Sequence, residues 1–183
     1  MELNSSEPLT QLITLLGVEN WEDLTAFVKQ IPYGRNTNRT DFSLVIKENK
    51  GTCSSKHAFL KQIADENKIE NIRLIVGIFK MSKENTPKTG TILEDNSLVY
   101  IPEAHCYLKI NGQPMDFTNK DSLYNKIKND ILEEIEIDPF QVSEFKVNFH
   151  KEYLKKWLSK VNSVMTFEQV WEIRENCIQN LSE

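Results

Sequence analysis

A chain of 183 residues with 39% hydrophobic and 27% charged residues is long enough to bury a core of its own. Its net charge of −5, with acids and bases interspersed, speaks against nucleic acid as the main partner. No run approaches the roughly 18 apolar residues of a membrane span, so no membrane partner is expected.

The N-terminal stretch MELNSSEPLTQLITLLG has no basic leader region and its apolar run is interrupted. Cys53, Cys106 and Cys177 are odd in number and far apart, which does not suggest a disulfide framework. A reduced, cytoplasmic protein is expected.

In chain order, residues 8–16 read as a helix, with Pro8 near its start and Gly17 as its stop. Asn20, with Asp23 three residues on, caps a second helix over 21–30 whose stripe is Trp21, Leu24, Phe27, Val28 and Ile31. Pro32 ends it, and a polar loop, IPYGRNTNRTDFS, follows. Residues 42–46 are short and apolar, and fit either a strand or a helical turn.

KENKGTCSSKHAFL then leads into a helix that runs to about Asn67. Cys53, His57, Leu60 and Ala64 share one face, so Cys53 sits at the first turn facing the body of the protein. NIRLIVGIFKM (71–81) is β-branched and reads as a buried strand. The polar segment 82–97 reads as a loop. Over 103–118, two alternating runs meet at Asn111-Gly112, the pair a type I′ hairpin prefers. ILEEIEI (131–137) fits a strand or a helix end. Asp138-Pro139 starts a helix that runs to Val161 with Phe145, Phe149, Trp157 and Leu158 as its stripe, and a Thr166–Gln169 capping box opens a last helix over 167–181. No repeat or linker interrupts the chain, and a single α+β domain over 1–183 is expected.

The hairpin decides which polar residues meet. A two-residue turn pairs Ile110 with Gln113, Leu108 with Met115, Tyr107 with Asp116 and His105 with Thr118. Cys106, Leu108, Ile110, Met115 and Phe117 then share an apolar face, and His105, Tyr107, Lys109, Pro114, Asp116 and Thr118 the polar one. His105 and Asp116 are diagonal neighbours, roughly 7–8 Å apart at the backbone and within side-chain reach. Asp116 can then accept from one ring nitrogen of His105 and leave the other as a base.

Cys53 has a helix N-terminus to favour its thiolate, and gains an imidazolium if the polar hairpin face meets its helix. Other readings stand beside this one: a buried structural cysteine, His57 as the base, or a zinc site drawing on Cys53, His57, His105 and Cys106, of which His105 and Cys106 point to opposite faces. His150, in a charged helix, reads as a surface residue.

Gly51-Thr52-Cys53 opening a helix, a strand from Arg73 to Gly77, His105-Cys106-Tyr107 and Asp116-Phe117-Thr118 together resemble the transglutaminase-like superfamily of papain-like thiol enzymes, in a small bacterial form. The resemblance covers roughly residues 30–120. Tyr107 stands where that family usually has tryptophan, and 121–183 is a helical extension outside it. The resemblance implies a papain-like α+β core, a nucleophile helix on an antiparallel sheet, with added N- and C-terminal helices. It implies Cys53 as nucleophile, His105 as base and Asp116 as orienting acid, without cofactor or metal. Tyr33, Arg35, Asn36 and Asn38 are candidates for a second oxyanion donor beside the Cys53 amide, and Thr52, Tyr107 and Thr118 for lining the site. The expected substrate is a peptide or protein amide, with peptidase, deamidase or amidase chemistry favoured over crosslinking. The alternative is a non-catalytic domain of this fold that binds a protein. Oligomeric state is left open.

Overall fold

The computed structural model describes residues 1–121, 123–161 and 164–181. Residues 122, 162–163 and 182–183 of the expected C-terminal extension lie outside the described residues. Among the described residues the fold is α+β, with an open four-stranded antiparallel sheet and eight α-helices. None of the described helices is long and apolar enough to cross a membrane.

The N-terminal helices α1 (Pro8–Thr14) and α2 (Trp21–Gln30) begin at Pro8 and at the Asn20 cap as the sequence predicts. The ambiguous 42–46 stretch is helical, α3 (Leu44–Lys47). α4 (Cys53–Glu66) starts at the cysteine itself. Its cap is reciprocal: Thr52 Oγ1 accepts from the Ser55 amide and Ser55 Oγ from the Thr52 amide.

β1 (Ile72–Met81) and β2 (Ile101–Ile110) pair along their whole length, Ile72 with Ile110 through Met81 with Ile101. The segment between them holds a 3-10 turn at Pro87–Thr89 and the short α5 (Ile92–Asp95), where the sequence reads as loop. The hairpin turns at Asn111-Gly112 with φ of 50° and 80°, the left-handed backbone that a type I′ turn needs. Leu108 pairs with Met115 and Ile110 with Gln113 as expected, but β3 (Gln113–Met115) ends there. Asp116 and Thr118 therefore follow the strand and do not continue it. After α6 (Tyr124–Ile127), β4 (Ile131–Ile137) adds to the far side of β1, giving the order β3-β2-β1-β4.

The C-terminal third corrects the sequence reading at two points. Asp138-Pro139 opens a 3-10 turn (Pro139–Val142) and α7 (Glu144–Lys160) begins after a break at Ser143. The buried stripe of α7 is Lys146, His150, Leu154 and Trp157, and Phe145 is exposed. His150 is thus a buried histidine, with Nε2 donating to the Pro102 carbonyl at 2.8 Å. α8 (Phe167–Asn180) has the predicted capping box.

Two apolar clusters hold these elements. In one, Phe59, Leu60 and Ile63 of α4 pack on Leu74, Val76, Cys106 and Leu108 of the sheet. In the other, Phe79, Met81 and Ile101 at the far ends of β1 and β2 meet Leu154, Trp157, Val170 and Cys177 of α7 and α8. With helices on both clusters, β2 is buried nearly end to end, and the face expected to be polar carries buried Glu103, His105 and Tyr107. Each is satisfied: Arg174 of α8 holds Glu103 through two bonds of 2.6 Å, and the Tyr107 hydroxyl donates to Glu134 of β4. Tyr107 pairs with Ile75 of β1, and its ring fits because it leans over the diagonal Gly77, where a Cβ would lie 3.1 Å from it. Met115, expected on the apolar face, is largely exposed at the sheet edge.

Candidate active site

Three segments meet at the N-terminus of α4. The first is the end of the 31–34 loop, whose Pro32 carbonyl accepts from the Gly51 amide at 3.0 Å while the Gly34 amide donates back to Gly51 at 3.4 Å. That two-bond ladder places Tyr33 beside Cys53. The second is His105 on β2, and the third the Asp116–Thr118 turn. Lys56, fully buried on α4, joins two of the walls: its Nζ donates to the Ile31 carbonyl and, at 2.6 Å, to the Thr118 carbonyl. Burial lowers its pKa to about 8. A Cβ on Gly51 would lie 2.8 Å from the Lys56 stem, which explains the glycine two residues before the cysteine.

His105 Nε2 lies 3.0 Å from Asp116 Oδ2. Asp116 also accepts from the Thr118 amide (2.9 Å), the Thr118 hydroxyl (2.7 Å) and the Tyr124 amide (3.0 Å). Burial opposes its charge, but the charge and hydrogen bond of His105 outweigh it and hold the carboxyl far below its usual range. For His105 the same balance, burial against the charges of Asp116 and Cys53, ends with a pKa raised to about 10. With Nε2 committed to Asp116, Nδ1 is the nitrogen left for Cys53. Tyr107 stacks under the imidazole at 6.2 Å between ring centres and supports the ring from behind; it does not line the cavity.

The Cys53 thiol is held well below its usual pKa by the Cys106 thiol that donates to it, against burial, and by the positive charges of Lys146 and His105 together with a hydrogen bond from His105. Cys106 is pushed well up by burial and by that bond, so it stays a thiol. The thiolate thus has a helix N-terminus, an imidazolium and a thiol donor around it.

His57 is fully buried and is not free to act as the base. Its Nδ1 lies 2.8 Å from the Cys53 carbonyl, and its Nε2 accepts from the Phe117 amide at 2.8 Å. An amide donor at Nε2 requires that nitrogen to be unprotonated, and burial lowers the His57 pKa to match. His57 therefore ties the cysteine turn to the aspartate turn as a neutral ring. Among the described residues no cluster of three or more His, Cys, Asp or Glu is arranged to hold a metal ion.

A cavity of about 640 Å³ opens over Cys53 and His105, lined also by Tyr33, Phe79, Met81 and Thr118. Cys53 is 8% and His105 4% exposed, so the pair is reached through this cavity. Of the four oxyanion candidates, Tyr33 alone lines it. Burial and the negative Cys53 raise the Tyr33 pKa, which keeps its hydroxyl a donor. Arg35 instead pairs with Glu175 of α8 at 2.6 Å. The Asn36 amide binds the Leu44 and Lys50 carbonyls and the Glu48 carboxylate, and Asn38 accepts from Thr40. These three shape the loop. Thr52 caps α4, and Thr118 both lines the cavity and holds Asp116.

Two participants lie outside the sequence reading. Lys146 of α7 reaches across the core to Ser54 Oγ at 2.8 Å, and Ser54 in turn contacts Cys53 Sγ at 3.9 Å and Cys106 Sγ at 3.6 Å. Ser54 relays the positive charge of the C-terminal helix to the thiolate. A sequence signal exists: extending the Leu154–Trp157 stripe back by helical steps reaches His150 and Lys146. Replacing Lys146 by methionine, which keeps the apolar stem, is expected to raise the pH midpoint of Cys53 alkylation by about one unit, with Lys146→Arg retaining most of the lowering. A midpoint unchanged in Lys146→Met would remove the relay from the site.

No family model, curated protein or solved structure matches this chain.

Proposed function

We propose that this protein is a cysteine-dependent acyl-transfer enzyme acting on an amide, with a transglutaminase-like, papain-type arrangement of Cys53, His105 and Asp116. The observation that carries the reading is His105, bound to Asp116 at 3.0 Å through Nε2 and lining the same cavity as Cys53, whose thiol its charge helps to hold below the usual pKa. In the reaction, the Cys53 thiolate attacks the carbonyl carbon. The Cys53 amide, unpaired within the helix by its position, and the Tyr33 hydroxyl donate to the developing oxyanion. His105 Nδ1–H protonates the departing nitrogen as the C–N bond breaks, leaving a thioester. Water, deprotonated by Nδ1, then attacks the thioester, the acid leaves, and the thiolate–imidazolium pair is restored. Asp116 keeps the ring in the tautomer and orientation that both steps need.

p-Nitrophenyl acetate tests this without knowledge of the substrate. A burst of nitrophenol with an acetylated Cys53 peptide by mass spectrometry, absent in Cys53→Ala and Asp116→Asn, is the expected result. Acetylation confined to lysines, unchanged by either substitution, would leave a protein-binding domain as the better account.

A further inference from the structure

The mouth of the cavity carries a charge opposite to that of the chain. Lys29, Lys88, Lys120 and Lys126 line it, against Glu103 and Asp121. Glu103 is spoken for by Arg174 at 2.6 Å, so Asp121 alone offsets four lysines. Among the described residues none of the four lysines stands in an ion pair with a carboxylate, while Lys50, Lys61, Lys83, Lys109 and Lys155 elsewhere do. Lys29 is held over the Phe117 ring at 5.2 Å, next to Asp116, and Lys88, Lys120 and Lys126 are exposed. In a protein of net charge −5, four unpaired lysines converging on one opening focus positive potential there.

Resting on the reading of Cys53 as an acyl-transfer nucleophile, we propose that the substrate is an amide carried by an acidic peptide, with carboxylates on both sides of the reacting group. The lysines come from four separate stretches: the end of α2, the 87–89 turn, the segment after Thr118, and α6. They line one cavity from four stretches of the chain, so anionic groups flanking the scissile amide have several cations to meet. Beneath them Phe79 and Met81 give the cavity an apolar wall, suited to the stem of the reacting residue. A peptide fits better than a nucleic acid: a thiolate that forms a thioester needs a carbonyl, and a long phosphate backbone would run onto the acidic remainder of the surface.

Binding can be read apart from chemistry in the full chain carrying Cys53→Ala. Fluorescence anisotropy with a labelled glutamine peptide flanked by glutamates is expected to give an affinity about tenfold above that of the same peptide flanked by lysines, weakening as salt rises. The exposed pair Lys88→Glu and Lys120→Glu together should abolish or reverse the preference at an unchanged melting temperature. Equal affinity for the two peptides, binding of neither, or a preference that survives the double reversal would overturn the proposal, as would equal binding of an oligothymidylate. Because this measurement does not use the thiol, a basic mouth that selects acidic peptides without acetylation of Cys53 would defeat the enzyme reading and leave the acidic partner standing.

Discussion

Replacing His105 by alanine is expected to slow alkylation of Cys53 by iodoacetamide at about pH 6 by tenfold or more, with the pH midpoint moving up toward the ordinary thiol value of about 8.5. Three groups hold the thiolate, and they are not equal. The Cys106 thiol is a neutral, weak donor, and Lys146 acts through Ser54. The imidazolium is a full charge acting on the thiolate without an intermediary, and it is kept charged by Asp116 up to about pH 10. Its loss leaves a buried anion that protonates. The measurement is the alkylation rate against pH, by mass spectrometry of the Cys53 peptide. A profile that does not move on His105→Ala would show that Cys106 and Lys146 suffice, and His105 would lose its place as the partner of the nucleophile. His57→Gln is the control: its ring is neutral, so its replacement should leave the midpoint near that of the native protein.

The elements that met near Cys53 were readable where local chemistry dictated them. Thr52 and Ser55 are capping residues, Asn111-Gly112 admits few other turns, and the alternation around that turn placed His105 and Asp116 on one face. The structure brings those two side chains to 3.0 Å even though β3 stops one residue short of Asp116. That stop was not readable, because Asp116 takes its hydrogen bonds from Thr118 and Tyr124, and Tyr124 belongs to a helix whose position is a tertiary matter. The same holds for the polar residues that turned out buried. His150 and Lys146 look solvated in a helix of mixed charge, and their burial depends on the Pro102 carbonyl and Ser54, which lie 48 and 92 residues away. Tyr107 looked like a residue of the wet face until Gly77 opened room for its ring. Long-range partners to buried polar groups are the information a single sequence does not carry, and they are also what ties the C-terminal helices to the thiol.

Stability should be greatest on a plateau between about pH 6.5 and 8.5 and fall on both sides, because the thiolate–imidazolium pair holds the same number of protons as its unfolded counterpart in that window. The His105 pKa is raised, so its contribution is full below the unfolded histidine value and is lost as pH rises toward about 10. The Cys53 pKa is lowered, so its contribution is present above the unfolded thiol value and is lost as pH falls. Between the two unfolded values one term rises as the other falls, and their sum is flat. Below about pH 6.5 the unfolded chain takes up protons on His105 and His57 while native Cys53 stays a thiolate and His57, its pKa lowered, stays neutral, so stability declines. Below about pH 4 the depressed Asp116 adds to the loss. Above about pH 8.5 the unfolded thiols ionise while native His105, Cys106 and Cys177 keep their protons; together these outweigh Lys56, whose lowered pKa acts the other way, and stability declines again. Asp116→Ala should lower stability by about 3–5 kcal/mol, since it strands the buried imidazolium and three donors at once. It should also make the alkaline decline shallower, because His105 without its carboxylate no longer holds a proton to high pH, while the raised thiols of Cys106 and Cys177 still contribute. Urea unfolding at a series of pH values reads both effects. An Asp116→Ala protein whose alkaline limb is as steep as the native one would mean that the proton of His105 is held by another group, and the hydrogen bond at 3.0 Å would not be what keeps the ring charged.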